Sequence, residues 1–301
     1  MFNKSKVTKF SEKTNGLLNF SDLRKPQFKL LYWFIFALMF VISLICLVPT
    51  VWVALSGFKS AQEMYAIPPT FFPKSIDIGI VPAILSKVNV LKYFGNSLML
   101  IIGCLGCDIV INGLSGYVLS KIRPLGSKLI ETAVFWTMLL PSVSMVPLYI
   151  TFMDVPGLHI SLSGSYLPIW LMAGANAFNI LLFRNFFNGI PMSYLEAAKI
   201  DGCTNLGIFG KIILPLSKPI IMVVTIFSVT GTWGNFLWPY LILGSTEKEP
   251  IAVMLYKFSV GGLPKNEYMI LIIISVIPMI ILYFICSKHI MGGLNMSGIK
   301  G

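Results

Sequence analysis

The stretch RNFFNGIPMSYLEAAKIDGCTNLGIFGKIILPLSKP, Arg184 to Pro219, is polar and punctuated by glycine and proline, yet it lies between two long apolar runs. Pro191 ends the preceding structure. Ser193, followed by Glu196, forms an S-x-x-E capping box that starts a short helix. Ala197 and Ala198 give that helix a shallow face of small side chains on which another protein can sit closely. Gly202 is placed to take the left-handed conformation that turns a chain back at a helix C-terminus. Leu214-Pro215 and Pro219 then mark the approach to the next apolar run. A short helix capped at both ends and lying along a membrane surface is a docking knob.

The surrounding composition is that of a membrane protein. Hydrophobic residues make up 56% of the chain and charged residues 12%, with a mean hydropathy of +0.81; soluble domains are about a quarter charged. The net charge of +11 does not imply nucleic-acid binding, because the basic residues sit in short segments between apolar runs rather than on one solvated face. Six apolar segments approach the roughly 20 residues needed to cross a hydrocarbon core of about 30 Å. They fall at Leu30–Leu55, Leu98–Leu119, Ala133–Phe152, Tyr166–Phe183, Ile220–Leu243 and Tyr268–Ile285. Pro141, Pro147 and Pro168 interrupt the third and fourth, which is tolerated where neighbouring helices or a water-lined cavity satisfy the freed backbone. The expected class is an all-α membrane protein with six transmembrane helices.

Charge sets the orientation. Of the 23 Lys and Arg residues, 16 fall in the N-terminal tail, the segment from Lys121 to Lys128, the Arg184–Pro219 loop and the C-terminal end, and 7 fall on the opposite side. By the positive-inside rule, both termini and the 184–219 loop are expected in the cytoplasm. Residues 1–29 then form a cytoplasmic tail, 30–290 the transmembrane domain and 291–301 a second cytoplasmic tail. The polar lead of about 28 residues and the long apolar run after it do not fit a cleavable signal peptide. The external segments, Lys59–Lys92 and Ser245–Glu267, are too short for a folded domain.

Other chemistry finds little support. Cys104-Leu-Gly-Cys107 has the spacing of a redox or zinc pair, but no second pair accompanies it, and packing of small apolar residues accounts for it better. His159 and His289 stand in separate loops, so no metal site is expected. There is no G-x-x-x-x-G-K-[ST] phosphate loop and no G-x-S-x-G elbow, so no cofactor is expected on this chain. Asp108 is the oddity: it lies near the middle of the second apolar segment, where a charge costs about 2.5–3.5 kcal/mol on insertion scales. At helical spacing Cys104, Asp108, Asn112 and Ser115 make a polar stripe. That stripe should face protein or a water-filled path, as a buried structural pair, a path-lining group or a protonated, hydrogen-bonded acid.

Glu196-Ala197-Ala198, Gly202 and Ile212-x-Leu214-Pro215 stand at the spacing of the EAA loop of ABC-importer permeases, and the resemblance runs along most of the chain. Phe58-Lys59-Ser60 to Pro68-Pro69-Thr70, Asn96-Ser97, Gly116-Tyr117, Pro147-Leu148-Tyr149, Asn179 to Phe187 and Gly292-Gly293-Leu294 to Gly301 are similar to segments of the sugar-uptake branch, on the maltose-permease pattern. The resemblance implies a type I ABC-importer permease fold in the bacterial plasma membrane. It implies a second, homologous permease subunit, two copies of a cytoplasmic ABC ATPase carrying ATP and Mg, an extracytoplasmic solute-binding protein and a carbohydrate substrate. The chain would be a transport subunit and not an enzyme. Glu196, Ala197, Ala198, Asp201, Gly202, Ile212, Leu214 and Pro215 would couple it to the ATPase.

One segment departs from the pattern. Where this branch commonly has Trp-Asn-acidic-Phe, the chain has Trp233-Gly234-Asn235-Phe236. Trp233 and Asn235 remain candidates for a substrate path together with Asp108 and Asn112, an indole suiting the C–H face of a sugar and an amide its hydroxyls. An ABC permease for an amino acid, peptide or phosphate is the nearest alternative. A secondary transporter would leave the 184–219 loop unexplained.

Overall fold

The computed structural model describes residues 26–141, 144, 146–157 and 159–296, with side chains described from residue 29 to 284. Among the described residues all regular structure is helical. The chain divides after Ile76 into two units, each taken by itself.

The first unit is dominated by α1 (Pro26–Ser56), whose 31 residues carry no acid in the first turn and no base in the last. Large apolar side chains such as Leu30, Trp33, Phe34 and Met39 are exposed along it. A helix apolar all round belongs in lipid rather than water. Beyond it, Ser60 caps the single turn α2 (Ala61–Met64) by accepting from the Glu63 amide at 3.2 Å. The Glu63 carboxylate accepts from the Thr70 hydroxyl at 2.7 Å and the Lys74 amide at 3.0 Å. Thr70's hydroxyl foremost, aided by that amide, holds the carboxyl below its usual range despite desolvation. The buried Lys59 ammonium donates to the Thr70 carbonyl. Phe58 to Thr70 is thus a fastened loop.

The second unit opens with α3 (Ile80–Lys87) and α4 (Val90–Cys107), and α4 runs on through a π-helical turn (Asp108–Asn112), α5 (Gly113–Tyr117) and a second π turn (Val118–Ile122). Together they make one apolar helical stretch of 33 residues, Val90–Ile122. A π turn adds a residue and rotates the faces that follow it. The stretch ends at Arg123, which takes the left-handed conformation at φ 49°.

The third expected span is not one helix. Residues 127–153 contain α6 (Ser127–Thr137) and α7 (Leu148–Met153), with Pro141 and Pro147 between them. The fourth is bent by 42° between α8 (Leu167–Gly174) and α9 (Ala177–Asn188). There Asn176 leaves the helical region and its side chain accepts from the Asn179 amide at 3.2 Å. The 184–219 loop follows as α10 (Ser193–Ile200), α11 (Asn205–Ile208), a π turn (Phe209–Ile213) and α12 (Leu214–Leu216). At Ser217 the chain bends by 83° into α13 (Lys218–Gly234). Asn235 breaks that helix, and α14 (Leu237–Leu243), α15 (Ile251–Val260) and α16 (Lys265–Met296) complete the unit. Among the described residues, three helices are long and apolar enough to cross a membrane, or up to five if each bent pair is one span.

Among the described residues, apolar clusters form at two places in this unit. One gathers Tyr117, Phe183, Phe187, Ile208, Phe209 and Ile213 at the loop end. The other gathers Leu100, Cys104, Ile169, Trp238, Ile242 and Leu243. Gly116 lets α5 and α9 approach closely, since a Cβ there would stand 2.7 Å from the Phe183 Cβ and 2.9 Å from the Arg184 amide nitrogen. Small residues at such crossings are how membrane helices gain contact. Asn96 donates to the carbonyls of Glu247 and Glu249 at 2.7 and 3.0 Å. Ser97 accepts from the Ile251 amide at 2.9 Å. Asn96-Ser97 therefore pins the start of α4 to the 245–251 segment.

Candidate functional site

The first element of the site is α10 with the turn that ends it. Leu195 and Ala198, three residues apart and so on one face, are buried in the Tyr117–Phe183–Ile213 cluster. Glu196 and Ala197 face outward. The paired alanines accordingly do not form a common small-residue surface, because adjacent helical positions point about 100° apart. The expected capping box is not formed either. Met192 occupies the cap position with no side-chain bond, and its carbonyl accepts the amides of both Leu195 and Glu196 at 2.9 and 3.1 Å. The Glu196 amide that Ser193 would have capped is already taken.

The C-terminal end matches expectation. Gly202 has φ 76°. The Cys203 amide donates to the Ala198 carbonyl at 2.9 Å and the Gly202 amide to the Lys199 carbonyl at 3.0 Å, the paired bonds of a Schellman turn. Thr204 then caps α11 by accepting from the Gly207 amide at 3.2 Å. In the Ile212-x-Leu214-Pro215 run, Ile213 is the fully buried anchor, while Ile212 and Leu214 are half-buried against the same cluster and Pro215 is exposed. Asp201 caps α10 on its exposed side.

The second element is a cavity of about 270 Å³ among α4, α8, α9 and α13, lined by Cys104, Asp108, Asn176, Phe178, Asn179, Phe227, Ser228, Thr232 and Asn235 together with apolar residues. Asp108, only 3% exposed, accepts at one carboxylate oxygen from the Asn112 amide and, at 2.7 Å, from the Asn179 amide. Ser228 also hydrogen-bonds the carboxyl. Asn112 in turn donates to the Ala173 carbonyl at 2.9 Å and accepts from the Asn176 backbone amide at 3.2 Å. The π turn at Asp108–Asn112 and the bend at Asn176 bring these groups together. Asp108 is thereby held by its own chain and faces the cavity. Asn235 joins it there, while Asn112 supports it from behind the lining. Trp233 is elsewhere: it packs against Phe94 with ring centroids 5.9 Å apart. Asn176, Ser228 and Thr232 join the site only in the structure, and the sequence marks Asn179 only as the start of the Asn179–Phe187 segment. Asn176 and Asn179 stand at the i, i+3 spacing of a side-chain N-cap, which was a readable signal.

The family of binding-protein-dependent transport system inner membrane components matches residues 112–293. The chain belongs to that family. It is a multi-pass membrane protein with a transport role rather than a catalytic one. The chain is 30% identical over 283 residues to the polygalacturonan/rhamnogalacturonan transport system permease protein YtcP of Bacillus subtilis, covering 89% of this chain and 97% of that protein. It is 29% identical over 293 residues to the arabinooligosaccharides transport system permease protein AraQ of the same organism, covering 92% and 98%. Its fold is similar to a chain in the crystal structure of a bacterial ABC transporter that imports the acidic polysaccharide alginate. The TM-score is 0.75 at 24% identity, covering 88% of this permease and 98% of that chain. This is the type I ABC-importer permease fold.

Proposed function

We propose that this permease is one of two homologous membrane subunits of an ATP-driven carbohydrate importer. In this reading it has six transmembrane helices within residues 30–290 and cytoplasmic tails at 1–29 and 291–301. It partners two copies of a cytoplasmic ATPase that hold ATP and Mg, and an extracytoplasmic protein delivers the sugar. The observation that carries the reading is α10: a helix seated by Leu195 and Ala198 in the same core that holds α5, α9 and α13, closed by the Gly202 turn, with Tyr194 and Ile200 exposed. A rigid, outward-facing helix so anchored passes a push from an ATPase into the bundle without deforming. Glu196, Ala197, Asp201 and Gly202 form its outer and terminal surface, and Ile212, Leu214 and Pro215 brace the return to α13. ATP-driven closure of the ATPase pair would rock the bundle from inward-open to outward-open. Moving such an equilibrium from 1:99 to 99:1 takes about 5.5 kcal/mol of differential binding. Asp108 and Asn235 line the path, with Asn112 behind them. The relatives named for polygalacturonan/rhamnogalacturonan and arabinooligosaccharide transport support sugar as cargo.

Orientation is checked by cysteine accessibility after replacing the native cysteines. Ser193→Cys should react with an impermeant thiol reagent only from the cytoplasmic side and Ser245→Cys only from outside. Labelling of Ser193→Cys in intact cells would overturn the topology and, with it, the docking role of α10.

A further inference from the structure

The chemistry of the cavity lining bears on the kind of sugar it would accept, an inference that rests on the importer reading above. Its lining offers Asn176, Asn179, Thr232 and Asn235 as groups that both donate to and accept from hydroxyls, and Phe178 and Phe227 packed edge to face with centroids 5.6 Å apart. Among its described lining residues the single ionisable side chain besides Cys104 is Asp108, and none is Lys, Arg or His. Lys128 and Arg184 line a separate recess with Glu131, where Arg184 pairs with that acid at 2.7 Å.

A uronate carboxylate entering the cavity would lose water and find no cation, and a buried charge is costly unless paired. The acid already present meets it as a like charge when ionised and as a neutral group when protonated, so neither state of Asp108 compensates. A neutral sugar leaves no charge unpaired. The amides of Asn112 and Asn179 fix the Asp108 carboxyl, so it cannot swing away from an incoming anion without stranding two buried donors.

We propose that Asp108 makes this subunit selective for uncharged oligosaccharides and excludes uronates. Relatives with similar overall sequence are named for both kinds of cargo, polygalacturonan and arabinooligosaccharides, so charge at the cavity is a property on which members of the family can differ.

The test uses the assembled importer in lipid nanodiscs without its binding protein, so that the membrane cavity alone discriminates. Equilibrium binding is measured for a neutral panel of arabino-, malto- and chito-oligosaccharides and an acidic panel of oligogalacturonate and oligoalginate. The strongest neutral probe should bind at least tenfold more tightly than either uronate, and Asp108→Asn should shrink that ratio several-fold. Should Asp108→Asn fail to assemble, Asn235→Lys, which puts a cation into the lining, should shrink it as well. A wild-type preference below tenfold, or a ratio that neither assembled variant moves, overturns the proposal. Uptake by whole cells separates the two readings: import of uronates in preference to neutral sugars leaves the carbohydrate importer standing and removes this inference, whereas import of no carbohydrate removes both.

Discussion

At α10 the structure is held by apolar contact and backbone hydrogen bonds. Leu195 and Ala198 sit in a core of aromatic and branched side chains, and the bonds that open and close the helix run from main chain to main chain. At the cavity the reverse holds: Asp108, Asn112 and Asn179 fix one another through side-chain amides and a carboxylate, and Asn112 carries that hold on to α8 and Asn176. On the proposed reading, a knob that transmits force needs a rigid seat, which close packing provides. On the same reading, a path for polar solutes needs polar groups that hold one another in place. The first region should therefore tolerate surface changes and resist changes to its seat or its one left-handed residue. The second should be sensitive to the loss of any single partner.

The largest effect is expected at the seat. Leu195→Ala removes a fully buried side chain, a change that costs about 2–5 kcal/mol in well-packed cores. The measurement is thermal stability of the purified complex together with retention of the ATPase. Unchanged stability would show that α10 is not anchored by its buried face. Next is the cavity. Asp108→Ala strands the Asn112 and Asn179 donors, at about 1–3 kcal/mol for each unsatisfied group, although pairs measured inside membrane proteins average nearer 0.6 kcal/mol. Asp108→Asn keeps the shape and should cost less, so equal losses for the two variants would break the claim that the network depends on its acceptor. Gly202→Val comes next, at about 1–3 kcal/mol, because a β-branched residue is strained at φ 76°. A Cβ there meets nothing within 4 Å, so any loss reports backbone strain and not a clash. The smallest effect is Glu196→Lys, which places a positive charge in the first turn of α10 for about 0.3–1 kcal/mol. Since Glu196 is exposed and makes no cap, its loss should appear in ATPase coupling and not in melting temperature. A drop in melting temperature as large as that of Leu195→Ala would erase the distinction between seat and surface.

The corrections share one cause. Ser193-x-x-Glu196 has the composition of a capping box, but composition does not say where the helix begins. The preceding backbone carries Met192 into helical geometry, and its carbonyl takes the amide that Ser193 would have capped. Ala197-Ala198 is a sequence pair, and the helix assigns its members to opposite duties. The continuous apolar runs near residues 133–152, 166–183 and 220–243 each contain a break, at prolines in the first and at asparagines in the other two. Apolarity reports burial or lipid contact and says little about where a helix bends. Trp233 and Asn235 are two residues apart and were paired as path residues. The end of α13 lies between them and turns one toward Phe94 and the other into the cavity.

The sequence by itself determined that the chain is helical and membrane-borne, because apolar runs of this length have no other stable home. It determined that the 184–219 loop is the outlying polar element, and that Gly202 turns left-handed, because glycine alone enters that region without strain. It also marked Asp108 as a group that must face protein or a path. Tertiary structure alone decided what Asp108 faces. Its partner Asn179 is 71 residues away along the chain, and the two meet through a π turn on one helix and an asparagine-capped bend on another. Neither distortion is written as a periodicity. Each is a local departure from ideal helix geometry, and the cluster it creates seats the buried Asp108 carboxylate on two side-chain amides.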